Sequence, residues 1–205
     1  MSSDAKSRVF KLHGGHPALD LVNTLDWRFR AGGVEELLES YDDVIRFSAQ
    51  SELLAAKEAR RLRRSVTDTA AERALAAVRE LREALAEIFY AGLDGRRPAG
   101  PALTSLEKVI KTAHAQQGLS WIRSQAAWGW LDAEGKPELP LWQMALSAER
   151  LMTSEAMSAV RACGDPGCRW LFLDTSKNHT RRWCNMETCG NRMKARRFKT
   201  VHAAG

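Results

Sequence analysis

The four cysteines of this chain fall within one short stretch near its end, and their spacing limits the fold more than any other feature. Cys163 and Cys168 form a C-x4-C pair, fifteen residues follow, and Cys184 and Cys189 form a second C-x4-C pair. A structural zinc takes four thiolates in a tetrahedron, each short pair clamps one edge of it, and the loop between pairs is long enough for a turn or hairpin. Gly164, Pro166 and Gly167 lie inside the first pair, where the backbone must bend sharply around a metal. The competing readings are buried free cysteines and redox disulfides. A catalytic zinc is disfavoured, because four cysteines leave no open position for water. His179, in a polar loop beside Lys177 and Asn178, is expected at the surface or on a phosphate rather than on the metal.

The choice of metal over disulfide also rests on compartment. Residues 1–10, MSSDAKSRVF, hold no apolar stretch for a secretory signal, and no apolar run approaches the ~18 residues of a membrane span. A soluble, cytoplasmic protein without a membrane partner is expected, where structural disulfides are rare. At 205 residues and 44% hydrophobic content the chain can bury a core and carry a small appended module.

Charge divides the chain at the same place. Ten of its 31 Lys and Arg and three of its 25 acids lie in residues 161–205, which leaves 21 bases against 22 acids in the rest. A tail of +7 on a near-neutral body is the footprint of a polyanion partner, with duplex DNA the first candidate. A zinc tetrathiolate contributes a formal −2 and still leaves +5, so balancing the metal does not account for the tail.

Hydrophobic period predicts a mainly helical body. Ala74, Val78, Leu81, Leu85 and Ile88 form one stripe of a helix starting near Asp68 and ending before Gly92. Leu103, Leu106, Ile110 and Ala113 repeat the pattern, as do Ala145, Ala148, Met152, Ala156 and Ala159. Shorter helices are expected over residues 17–27 and 40–49. Trp121, Trp128 and Trp130 sit in short segments that suggest a β-hairpin. With no low-complexity linker in view, the last body helix is expected to run directly into the finger. The predicted fold is therefore mainly α with a small β-hairpin (α+β), divided into a helical sensor domain over 1–160 and a treble-clef-like or ribbon-like four-cysteine zinc finger with a basic helix over 161–205.

Within the finger, Trp170, Leu171, Phe172 and Leu173 form the only sizeable apolar cluster, too small to hold ~40 residues folded without metal. One structural Zn2+ is thus expected to be part of the fold, worth on the order of 10 to 16 kcal/mol in small fingers, and chelation is expected to unfold the tail while sparing the body. After Cys189 the chain reads GNRMKARRFKTV, with Thr188 as a candidate N-cap and Ala195, Phe198 and Val201 expected to face inward. Arg192, Arg196 and Lys199 share a helix face, flanked by Lys194 and Arg197. Arg192 and Arg196 are the expected readers of base edges, and Arg181 and Arg182, in the loop before Cys184, the expected phosphate contacts.

Near the front, Asp20, Asn23, Thr24 and Trp27 recur together opposite the apolar Ala18, Leu21, Val22 and Leu25. They are candidates either for a small-molecule effector pocket or for a buried hydrogen-bond network tying the first helix to a neighbour.

The run CRWLFLDTSKNHTRRWCNMETCGNRMKARRF, residues 168–198, resembles the CGNR zinc finger, with the motif itself at Cys189, Gly190, Asn191 and Arg192. PALDLVNTL, residues 17–25, resembles the opening of the ABATE domain, which in that family precedes a CGNR finger in stress-induced transcription regulators. The resemblance implies a DNA-binding regulator and supplies no effector. No nucleophile and base stand at a defensible spacing, so an enzyme is not expected. The rivals are a zinc-stabilised module docking an acidic protein partner, or one binding structured RNA; a homodimer is left open by the sequence.

Overall fold

Pro17 and His16 start the first helix. In the computed structural model, which describes residues 9–203, α1 (Pro17–Val22) has Pro17 at its first position, where the missing N–H costs nothing. The His16 Nδ1 accepts from the Ala18 amide at 3.2 Å. Asn23 caps the other end, so the helix stops short of the expected Trp27. β1 (Leu25–Asp26) then pairs with β2 (Glu35–Glu36), and Trp27 turns the chain with a left-handed φ of 55°. Ser40 and Asp43 form a reciprocal capping box that opens α2 (Tyr41–Gln50). The next helix, α3 (Ala56–Ser65), went unsignalled because only Ala59 and Leu62 of AKEARRLRRS are buried.

α4 (Asp68–Leu93) buries the whole expected stripe from Ala74 to Ile88 and runs through Gly92. α5 (Gly100–Ala115) buries only Leu106 and Ala113 and leaves Leu103 at the surface. The tryptophan segment is the expected hairpin: β3 (Gln117–Ile122) pairs antiparallel with β4 (Gln125–Trp130), and Arg123 and Ser124 make the two-residue turn with φ of 46° and 67°. α6 (Leu139–Met152) is buried from Leu139 to Leu151 on most sides and packs against α1, α2, α4 and α5, which makes it the central helix. Its period does not continue through Ala156 and Ala159, which fall in a 3-10 turn (Glu155–Ala159) with no buried residue. The helix therefore does not enter the finger directly. β5 (Val160–Ala162) does, pairing antiparallel with β6 (Leu171–Leu173). The chain closes in α7 (Asn191–Ala203). Among the described residues, no helix is long and apolar enough to cross a membrane.

β6 joins body and finger. Side chains of a strand alternate in direction. Leu171 accordingly points into the main core, while Phe172 points into a second cluster with Trp170 and the four cysteines. Asn23 finishes the join: its Nδ2 donates to the Leu171 carbonyl at 2.9 Å and its Oδ1 accepts from the Leu171 amide at 2.8 Å. Its amide thus does the work of a neighbouring strand's peptide. Leu173 N–H donates to the Gly14 carbonyl at 2.8 Å, Trp170 Nε1 to Asp26 Oδ1 at 2.8 Å, and Tyr90 OH to the Arg169 carbonyl at 3.0 Å. The front segment and the finger strand therefore share one interior, and the four apolar residues counted as finger core at the sequence level are divided between two clusters.

Asn23→Ala strands both buried peptide groups of Leu171. It should destabilise the whole chain by about 2 to 6 kcal/mol, since each of the two unsatisfied groups costs roughly 1 to 3. Chemical denaturation followed by circular dichroism checks this. Asn23→Asp, which retains the acceptor and loses the donor, should recover little, and a wild-type stability in Asn23→Ala would show that water replaces the amide without cost.

Candidate metal centre and basic face

The cysteines reach one point from three directions. Cys163 follows β5, Cys168 precedes β6, Cys184 ends the loop after β6, and Cys189 lies in a π-helical turn (Met186–Gly190) that leads into α7. The second pair thus stands at a helix N-terminus rather than on another hairpin, which is the treble-clef-like arrangement of the two expected. All four are buried, and their Sγ atoms lie within 4.8 Å of one another. Cys184 Sγ is 3.7 Å from both Cys168 and Cys189. Zinc–sulfur bonds of about 2.3 Å in a tetrahedron put sulfurs about 3.8 Å apart, so the donor set fits a zinc.

Short backbone ties hold this geometry. Cys163 N–H donates to the Trp170 carbonyl, Cys168 N–H to the Asp165 carbonyl and Gly164 N–H to the Arg182 carbonyl, at 2.8 to 2.9 Å. Asn185, not the expected Thr188, caps the turn, its Oδ1 accepting from Thr188 N–H at 2.9 Å. Hydrogen bonding to Cys163 pushes the Cys168 and Cys184 thiols up, and burial pushes Cys189 up. Four crowded thiols do not ionise together without a cation. A dication that does bind must displace their protons, so it is held less tightly as pH falls.

The motif residues after the last ligand each have a contact. A Cβ on Gly190 would collide with Met186 Sδ and lie 3.2 Å from Trp183 Cδ1. Asn191 Nδ2 donates to the Glu187 carbonyl at 3.1 Å. Arg192 Nη2 donates to Cys189 Sγ at 3.0 Å, and its Nε to Asp165 Oδ2 at 2.6 Å. Residues 159–201 match the CGNR zinc finger. Residues 15–155 match the ABATE family, described as "Putative stress-induced transcription regulator". The chain belongs to the ABATE family. A comparison with curated proteins gives no match. In this ABATE protein the four clustered cysteines of the finger make a site for one structural zinc.

The structure separates the seven cations expected on DNA. Arg181 turns inward: its guanidinium donates to the carbonyls of Trp183, Leu173, His13 and Cys184 and lies 4.3 Å over the Phe172 ring. Arg192 is half-buried between Asp165, Cys189 and the Trp27 ring, 4.9 Å away. Both guanidinium groups are thus held by acceptors of the chain itself, Arg181 by carbonyls and Arg192 by Asp165 and Cys189. Arg182, Lys194, Arg196, Arg197 and Lys199 are exposed. Ala195 and Phe198, expected to face inward, are exposed too, and the Val201 side chain lies outside the described residues.

The front polar group is also held by its contacts. Asp20, Asn23 and Thr24 are buried, and the void beside them and Trp170 measures about 10 Å³, room for no more than one water. Asp20 Oδ1 accepts from Gly14 N–H at 2.7 Å, and burial pushes its carboxyl up to about 7. A Cβ on Gly14 would meet that oxygen at 2.8 Å, which is why the turn needs glycine. Thr24 Oγ1 donates to the Leu21 carbonyl at 2.6 Å. Trp27 stands apart, its ring 4.8 Å from the Arg30 guanidinium and 4.9 Å from that of Arg192. Asp20, Asn23 and Thr24 thus each bond to backbone groups, as the hydrogen-bond alternative requires. Two residues the sequence reading passed over are as important. Asp165, 1% exposed, receives Arg192, Arg196 and the Gly167 amide. Asp174 folds the following loop by accepting from Ser176 and from Arg181 N–H, and the Ser176 hydroxyl holds its carboxyl below the usual range.

Metal analysis should find one zinc per chain, and Cys184→Ser should lose it. Because Leu171 belongs to the main core, chelation should lower the melting temperature of the body as well, against the sequence-level expectation that the body is spared. Full zinc occupancy in Cys184→Ser would refute the site, and an unchanged body transition after chelation would refute the shared interior.

Proposed function

We propose that this ABATE protein is a cytoplasmic DNA-binding transcription regulator, with residues 161–205 as the DNA-contacting part and residues 1–160 as the sensing part. The observation that carries the reading is an open groove of about 700 Å³ beside α7, lined by Arg182, Lys194, Arg196 and Arg197 with Trp183 and Phe198, and by no acidic residue. Cations spread along one groove on a metal-anchored frame suit a phosphate backbone. Arg196 reaches the edge of the zinc loop through Asp165 at 3.5 Å, which steadies it for a base edge. Arg182, Lys194, Arg197 and Lys199 serve phosphates. Both matched families are regulatory or zinc-finger families, which favours a regulator over an enzyme.

The two neighbouring arginines before Cys184 give the sharpest test. Arg182→Ala should weaken binding to all duplexes alike and lower the salt slope by about one unit, with stability unchanged. Arg181→Ala should instead lose stability, since it leaves buried carbonyls without donors. Arg196→Ala should cost on the order of 1 to 3 kcal/mol at a selected site. Folded Arg182→Ala and Arg196→Ala proteins that bind duplex DNA like the parent would end the DNA reading in favour of an acidic protein partner; tighter binding to structured RNA than to duplex DNA would redirect it to RNA.

For an effector, the geometry favours a cleft of about 340 Å³ between the segment after β1, α4 and the residue following Cys168. Arg28, Arg96 and Arg169 line it with Glu83, Glu87 and Asp94; Glu83 takes the Arg28 guanidinium, and Asp94 lies 3.5 Å from that of Arg169, whose buried Nε has no hydrogen-bond partner. Phe29 and Tyr90 supply aromatic walls, with the Arg169 guanidinium 5.1 and 5.7 Å from their rings. A small carboxylate fits this cleft by taking the place of Asp94 on the Arg169 guanidinium, beside the aromatic surface. Arg169 has φ 52°, which asparagine tolerates, so Arg169→Asn should abolish thermal stabilisation by carboxylates while keeping zinc. Wild-type protein indifferent to a panel of carboxylates at ~10 mM, a level that would reveal millimolar affinity, would eliminate this cleft.

A further inference from the structure

The β3–β4 hairpin presents a large apolar face that no other described residue covers. The register puts Leu119 opposite Trp128 and Trp121 opposite Ala126, with Gln117 and Trp130 at the base of the same face. Trp130 is anchored, stacked on Trp142 at 6.0 Å. Further out on this face, Leu119, Trp121 and Trp128 are 62%, 76% and 68% exposed. Single exposed apolar residues are ordinary, but neighbours that form a patch mark an interface.

Two further observations restrict what covers it. Neither strand contains Asp, Glu, Lys or Arg, and Arg123 at the turn is the hairpin's one charge. Nucleic acid and acidic proteins are thereby poor occupants, since both require cations. The pair is also a two-stranded sheet with no third strand among the described residues, and its edges carry none of the Lys or Pro that guard exposed strands. An uncharged apolar face with open edges is complementary to a copy of itself.

We propose that the hairpin is the homodimer interface of this protein, two copies meeting about a twofold axis through Leu119, Trp121 and Trp128. The two indoles with Leu119 offer roughly 450 Å² of exposed surface, taking an indole at up to about 250 Å². Two copies therefore hide about 900 Å², the size of a weak, reversible interface. A twofold contact uses the same patch on both chains, which an uncharged face permits without like-charge repulsion. The inference stands apart from the DNA reading, and either can fail alone.

Sedimentation equilibrium of the full, zinc-loaded chain should give the mass of two chains at about 50 µM, a concentration that populates a dimer of micromolar affinity. Trp121→Glu should raise the dissociation constant at least about tenfold with an unchanged circular dichroism spectrum, because an interface tryptophan is replaced by a charge that meets its own copy. Leu119→Lys is the second variant should Trp121→Glu fold poorly, and it should do the same. A wild-type chain monomeric at that concentration overturns the proposal, as does a dimer that both folded variants retain. Binding of the monomer to neutral phosphatidylcholine vesicles, lost in Trp121→Glu, overturns it in favour of a lipid surface.

Discussion

Leu171 has its amide and its carbonyl both paired with one side chain, Asn23, from a segment 148 residues earlier. A buried strand peptide without a partner costs more than most single contacts contribute, so the position of α1 and the position of the finger strand fix each other. The alternation of β6 then divides its side chains between two interiors, Leu171 to the helical core and Phe172 to the metal cluster. One strand of three residues serves both. This is why the finger is not a bead on a tether: its knuckle hangs from a hairpin whose second strand is also a wall of the body.

The metal centre builds on that strand. Four thiols within 4.8 Å need a dication to become thiolates together, and the start of α7 turns the positive end of its backbone dipole toward them. Arg192 adds a donor to Cys189 and closes the knuckle through Asp165. Arginines similar in sequence context consequently have opposite fates. Arg181 satisfies four carbonyls and Arg182, its neighbour, points to solvent, because successive residues of an extended loop face opposite sides. Net positive charge in the tail therefore overstates the charge presented outward, though enough remains along α7 to line a groove free of acids.

The β3–β4 hairpin carries the reverse chemistry. Its strands are uncharged and rich in exposed indole, while the groove beside α7 is cationic. Surfaces of such different character do not compete for the same partner, which allows a contact between like chains and a contact with a polyanion in one protein.

Sequence alone determined the features that depend on near neighbours. The zinc ligands follow from two C-x4-C pairs, the α4 stripe from its period, the tryptophan hairpin from short aromatic segments, and the charged tail from a count. Chain neighbours fix these because helix faces, capping and metal chelation act over a few residues. The roles of Asn23, Asp165, Asp20, Arg181 and Arg192 were decided by tertiary structure. Their sequence signal is a polar or charged residue near a motif, equally fitted to a ligand, a phosphate or a buried carbonyl. Which one it meets depends on the group that folding brings across from a distant part of the chain, and a buried peptide or thiolate, unable to reach water, takes the side chain first.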